Sequence, residues 1–118
     1  MIEASCHCGA VRLEIAEAPA EVTDCNCSIC RRLGALWAYY QPGDVAVIAA
    51  PEATGAYVWG DRMLARHFCR VCGCTTHWQA LDPKVDRMGV NARLMTAHDL
   101  EGARIRKFDG ADTWTVLN

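Results

Sequence analysis

The chain has 118 residues and a formal net charge of −2 at pH 7, with twelve Lys and Arg against fourteen Asp and Glu. This near balance gives no general pull toward nucleic acid or an anionic membrane surface. Hydrophobic residues make up 52%, but eighteen of them are Ala and eight are Cys, so the core is lean and gains from metal staples. No segment approaches the ~20 apolar residues of a membrane span. Residues 1–6 lack the basic and apolar regions of a signal peptide. Without an export signal, the cysteines read as reduced thiols and metal ligands rather than disulfides, with the cytoplasm as the default address.

Residues 5–9 read as a tight turn leading into a strand over residues 10–15, where Val11, Leu13 and Ile15 alternate with Arg12 and Glu14. Pro19 marks a break, and residues 21–24 form a second short strand that delivers Cys25 and Cys27 to one side. Ser28 is placed to cap a single helical turn through Leu33, with Gly34 as its stop. Cys30 then lies in the first turn, where unpaired backbone N–H groups favour a thiolate. Residues 35–40 are aromatic-rich and strand-like, and residues 45–48 follow the Pro42-Gly43-Asp44 turn. Residues 55–59 and 62–68 flank Gly60-Asp61 as a hairpin. Further strands are expected over residues 75–80, 87–92 and 104–108, with one helical turn at 96–100. There is no repeat, linker or low-complexity run, and the pattern is all-β with ligands carried on turns.

The cysteines fall into three groups. Cys6-His7-Cys8-Gly9 and Cys69-Arg70-Val71-Cys72-Gly73 are two half-sites whose union is the usual four-cysteine solution for structural zinc. Buried free cysteines pack as small hydrophobes, but two paired turns each ending in Gly favour the metal. The third group, Cys25-Asn26-Cys27-Ser28-Ile29-Cys30, has no obvious fourth partner except Cys74. Either Cys74 closes a second four-cysteine site, or the triplet stays open to a small molecule; spacing does not separate the two. Around these groups, imidazole chemistry lets His7, His67, His77 or His98 act as a general acid or base, although a hydrogen-bonded or solvated role is the more common one for each. Arg31 and Arg32 could hold an anionic substrate, or form a solvated helix face. An aromatic cluster such as Trp37, Tyr39 and Tyr40 is more often core than pocket wall.

The three ordered cysteine clusters, with Phe68 before Cys69, Gly89-Val90-Asn91 and the late Trp114, resemble the glutathione-dependent formaldehyde-activating enzyme family, which also includes centromere protein V. The resemblance spans most of the chain. It implies one zinc-binding domain over residues 1–118 with an Mss4-like, mainly β fold: short antiparallel sheets around a structural zinc. By motif position it gives Cys6, Cys8, Cys69 and Cys72 the structural zinc, and Cys25, Cys27 and Cys30 a catalytic zinc. It also implies a small-molecule thiol such as glutathione and an aldehyde as partners, with neither nucleic acid nor membrane.

Three thiolates around Zn²⁺ leave a formal charge of −1, a weaker Lewis acid than a three-histidine site. Such a centre suits holding a substrate thiol as thiolate. Together with this chemistry, the resemblance implies a zinc-dependent carbon–sulfur lyase-type enzyme acting on an S-hydroxymethylglutathione-like adduct, with His67 or His77 as proton carrier. The alternatives are a non-catalytic zinc-stabilised binding module, and a thiol redox switch using Cys72 or Cys74.

Overall fold

A computed structural model describes residues 1–118 as two stacked sheets. The smaller sheet holds β1 (Ile2–Ser5), β2 (Arg12–Ile15) and β5 (Val45–Ile48), in the order β1-β2-β5 and antiparallel throughout. The larger contains β3 (Glu21–Cys25), β4 (Trp37–Tyr40), β6 (Thr54–Tyr57), β7 (Leu64–Cys69), β8 (Thr75–Ala80), β9 (Met88–Asn91) and β10 (Arg104–Phe108). Its order is β10-β3-β4-β9-β8-β7-β6. One short helix, α1 (Ser28–Leu33), follows β3. The mainly β, Mss4-like expectation of short antiparallel sheets holds, with one addition: β10 joins β3 in parallel, pairing Phe108 with Cys25 and Arg106 with Thr23.

Strand alternation divides the larger sheet into two chemically different faces. Val22, Ala38, Met88 and Val90 point to the smaller sheet and pack with Ala4, Leu13 and Ile15, forming the main core. The opposite face presents Thr23 and Cys25 from β3, Trp37 and Tyr39 from β4, Gly89 and Asn91 from β9, and Trp78 from β8. On this second face Cys30, Ala35, Trp37 and Trp78 make a separate core, against which Cys25, Cys27 and Tyr39 pack. Asn91 is buried, and its amide ties three segments together. Its oxygen accepts from the N–H groups of Leu36 (3.3 Å) and Arg93 (3.2 Å), while Nδ2 donates to Thr75 O at 2.8 Å.

The differences from the sequence reading have local causes. Strand β1 begins at Ile2, inside a segment without strong alternation; only Ala4 there is buried, and its small side chain gives little periodic signal. The cap of α1 is Cys27 rather than Ser28: the Cys27 backbone is extended and its sulfur accepts from Cys30 N. The hairpin after Gly55 has a wider connection than Gly60-Asp61 alone, because β6 ends at Tyr57 and Arg62 adopts a positive φ of 60°. Residues 96–100 form turns rather than a helix, held by Thr96 and Asp99 bonding to each other's backbone N–H.

The close approach of Trp78 to Gly89 decides whether the second core can form. A Cβ at position 89 would lie 2.0 Å from Trp78 Nε1, and that indole is 4% exposed with little room to move. Gly89→Ala is therefore expected to lower unfolding free energy by about 3 kcal/mol, read from the shift in denaturation midpoint at unchanged m-value.

Candidate metal centres

The first cysteine cluster joins the two sheets. Cys6 and Cys8 lie on the β1–β2 turn, which closes through Cys6 N to Val11 O at 3.0 Å and Gly9 N to Cys6 O at 3.3 Å. Cys69 ends β7, and Cys72 sits on the following turn, closed by Cys69 N to Cys74 O and Gly73 N to Cys69 O, both 2.9 Å. Gly9 (φ 84°) and Gly73 (φ 81°) take the left-handed conformation that lets each turn fold back over its sulfurs. The four sulfurs lie within 4.8 Å of one another. Cys8 Sγ is 3.7 Å from Cys6 Sγ and 3.6 Å from Cys69 Sγ. A tetrahedron with Zn–S bonds near 2.3 Å separates its sulfurs by about 3.8 Å, whereas a disulfide needs about 2.05 Å. The donor set and its spacing fit zinc.

Backbone N–H groups prepare this cluster for negative charge. Those of Cys74 and Cys8 pull the Cys72 thiol down to about 5, and those of Cys72 and Val71 lower Cys69. Cys8 goes the other way: despite the Ala10 N–H, burial and the thiols of Cys69, Cys6 and Cys72 push it up to about 12. Cys74 belongs to this end of the molecule. It packs against the core of Cys6, Val11 and Cys69, receives the His7 backbone N–H, and is raised by burial and by the charge on Cys72. It does not close the triplet.

The second cluster, Cys25, Cys27 and Cys30, likewise has its sulfurs within 4.8 Å of one another. Three elements deliver them: the last residue of β3, the N-cap of α1, and the first turn of α1, which Gly34 stops in a left-handed conformation (φ 65°). Cys30 is buried, and Cys25 and Cys27 are half-buried. Two donors fix the sulfurs: Cys30 N to Cys27 Sγ at 3.5 Å and Trp37 Nε1 to Cys30 Sγ at 3.3 Å. Burial raises Cys25, and it pushes Cys30 up to about 12 even against the Trp37 N–H. For Cys27 burial is outweighed by the N–H groups of Cys30 and Ile29 and the adjacent thiols, so its thiol is lowered. Charge therefore settles first on Cys27.

A C-terminal hairpin leans on the triplet. Asn26, between two of its cysteines, donates Nδ2 to Asp109 Oδ1 and accepts Ala111 N on Oδ1, both at 3.0 Å. A Cβ on Gly110 would stand 2.6 Å from Cys25 Sγ and 3.6 Å from Cζ3 of Trp114, so only glycine leaves the sulfur its space. Trp114 has a positive φ of 60°, packs edge-on to Phe108 with centroids 5.0 Å apart, and is 71% exposed.

The other candidate residues separate by face. His67 and His77 stack at 4.5 Å, and His77 is 1% exposed with Nδ1 2.8 Å from Thr76 Oγ1. Burial and the neighbouring His67 lower His77 to about 4. Because His77 adjoins Trp78 in β8, the pair faces the side of the sheet opposite the triplet, and neither ring is its proton carrier. His7 and His98 are exposed, the latter 3.6 Å from Glu101. Arg31 and Arg32 are exposed on α1, and Arg32 donates to Ser28 O at 2.8 Å. Sequence reasoning missed the Trp37 bond to Cys30; the signal was a buried indole whose N–H needs a partner. It also missed Asn26 and Gly110, whose roles depend on contacts 83 or more residues away.

Comparison with known proteins places these clusters in context. The family model for the glutathione-dependent formaldehyde-activating enzyme matches residues 1–106. A Halomonas elongata protein provisionally named as such an enzyme is 37% identical, over 61% of this chain and 52% of the relative. The chain thus spans about half the length of that curated relative. A solved structure of a Rhodobacter sphaeroides protein matches with a TM-score of 0.72 and 34% identity, covering 88% of this chain and 99% of that one.

The hairpin gives a direct test of the Asn26 contacts. Asn26→Ala removes two side-chain hydrogen bonds, worth about 1–2 kcal/mol together. Amide exchange at Asp109, Trp114 and Leu117 is expected to accelerate roughly tenfold, while exchange in β7 and β8 stays unchanged.

Proposed function

We propose, from the premise that this chain belongs to the glutathione-dependent formaldehyde-activating enzyme family, that it makes or breaks the carbon–sulfur bond of a thiol–aldehyde adduct of the S-hydroxymethylglutathione kind. The observation that carries this reading is the convergence of Cys25, Cys27 and Cys30, two of them half-exposed, with Cys74 packed beside the other cluster. In this reading Cys6, Cys8, Cys69 and Cys72 hold a structural zinc, and the triplet holds a second zinc with three protein ligands. When bound there, zinc supplies a soft cation that keeps an incoming thiol in its thiolate form. Residues 1–118 act as one zinc-binding domain, and a reducing compartment such as the cytoplasm keeps the thiols available.

The chain's residues prepare the reaction. Trp37 N–H takes up part of the charge on buried Cys30 and fixes its direction, and Cys30 N does the same for Cys27. Tyr39 and Trp78, in edge contact at 6.1 Å, wall the site on one side. Gly110 closes the Cys25 side with backbone alone, since an added Cβ would run into the sulfur. In the synthetic direction the thiolate's electron pair goes to the aldehyde carbon, and the carbonyl oxygen takes a proton; breakdown reverses both. With the His67–His77 pair on the far face, that proton comes from solvent at the half-exposed Cys25 and Cys27.

Zinc-loaded protein is expected to accelerate exchange between free glutathione, formaldehyde and S-hydroxymethylglutathione, followed by exchange NMR, with Cys27→Ser abolishing the acceleration. Two inert zincs with no acceleration across several thiols and aldehydes would refute the enzyme reading in favour of a non-catalytic binding module. Separately, Trp37→Phe is expected to weaken metal binding at the triplet about tenfold, read by competition with a chromophoric chelator, without altering the four-cysteine centre.

A further inference from the structure

The face of the larger sheet that carries the triplet continues away from it as an ordered polar track. Along β3, Cys25, Thr23 and Glu21 share one face, and across β10 their partners are Phe108, Arg106 and Arg104. Arg106 Nε donates to Thr23 Oγ1 at 3.1 Å, and its guanidinium lies 5.3 Å from the Phe108 ring centroid. From the other side, Arg87 stacks on Tyr39, its Cζ 4.3 Å from the ring centroid. Tyr39 and Thr23 line the same cavity. Two guanidinium groups thus flank one Thr23–Tyr39 pair, two strand residues from Cys25. That separation is roughly 7 Å along an extended strand.

Their charge is only partly consumed by the protein. None of the chain's salt bridges uses Arg87. Arg106 reaches Glu21 only at 4.0 Å, and Glu21 is already engaged by Arg104. The guanidinium forks match a carboxylate, which accepts two parallel N–H bonds. At Arg87 the track opens into a cavity of about 460 Å³, lined by Glu17, Glu21, Asp44, Thr23, Tyr39 and Arg87 among others, with Arg106 bonded to its Thr23 wall. Glu17 and Asp44 form no salt bridge within the chain. A cation pair next to free carboxylates is a site for a zwitterion: carboxylate on the arginines, ammonium on the acids.

We infer that Arg87 and Arg106 position the thiol substrate by binding the carboxylate of an α-amino-acid head group, whose ammonium is received by Glu17 and Asp44. The inference rests on the proposed thiol–aldehyde chemistry for its orientation, with the sulfur at Cys25, Cys27 and Cys30. The spans agree, since a peptide thiol of two or three residues reaches roughly 7–10 Å from its sulfur when extended. A thiol without such a head, such as 2-mercaptoethanol, meets the same sulfur site but none of this track. The two arginines thereby set which thiol is used, and they do so without contacting the reacting atoms.

S-Methylglutathione tests this, because it carries the head group but has no thiol to ionise. Calorimetric titration of zinc-loaded protein is expected to show binding that weakens roughly tenfold in Arg87→Gln and again in Arg106→Gln. The preference for glutathione over 2-mercaptoethanol in adduct formation should fall by a similar factor, through KM rather than kcat. Arg87 is exposed, so its variant reports even if loss of the Thr23 bond disturbs folding of the Arg106 variant. Adduct acceleration with S-methylglutathione binding indifferent to both arginines overturns the head-group site and leaves the catalytic reading standing. Arginine-dependent binding without acceleration of any thiol–aldehyde exchange supports the head-group site and overturns the catalytic reading.

Discussion

The two sheets meet at a cluster of four sulfurs. Cys6 and Cys8 belong to the turn of the smaller sheet, and Cys69 and Cys72 to the β7–β8 turn of the larger. Elsewhere the sheets are joined by a core rich in Ala, Val and Met, with no phenylalanine or tryptophan buried between them. A lean interface of this kind gives modest burial free energy. The sulfur cluster adds a directional tie at one end, and its backbone N–H donors are aimed at Cys69 and Cys72.

Fixing that end fixes which face of the larger sheet is covered. With Val22, Ala38 and Val90 turned toward the smaller sheet, strand alternation leaves Thr23, Cys25, Trp37, Tyr39 and Trp78 on the other side. The aromatic side chains missing from the main core are found here, where they surround the triplet. Trp37 is both core and support for a triplet sulfur, since burial of its ring forces its N–H to find a partner and Cys30 Sγ is that partner. The same alternation puts the stacked His67–His77 pair on the face opposite the triplet.

What could be read from the residues follows range of interaction. The cysteine turns, the glycines that follow them and the alternating strands are local, and each was legible from spacing. Strand β1 was not, because a strand whose buried residue is Ala4 has almost no hydrophobic contrast. The helix cap went to Cys27 rather than Ser28, a one-residue shift set by the extended Cys27 backbone. The parallel placement of β10 and the use of Gly110 beside Cys25 were out of reach, since both depend on the chain crossing the sheet to meet residues some eighty positions earlier. Cys74 shows the same limit from the other side: its neighbours along the chain left its allegiance open, and only packing against Cys6 and Cys69 decided it.

The two sulfur clusters also differ in the length of chain each must gather. The triplet brings its sulfurs together within six residues, whereas the other cluster joins Cys8 to Cys69 across 61. Loop-closure entropy makes the longer closure less favourable by about 2 kcal/mol. Chains emerge from synthesis N-terminus first, so Cys25, Cys27 and Cys30 are all present before Cys69 exists. The shorter cluster is thus able to capture a metal while the chain is still growing, and the longer one records that both sheets have arrived.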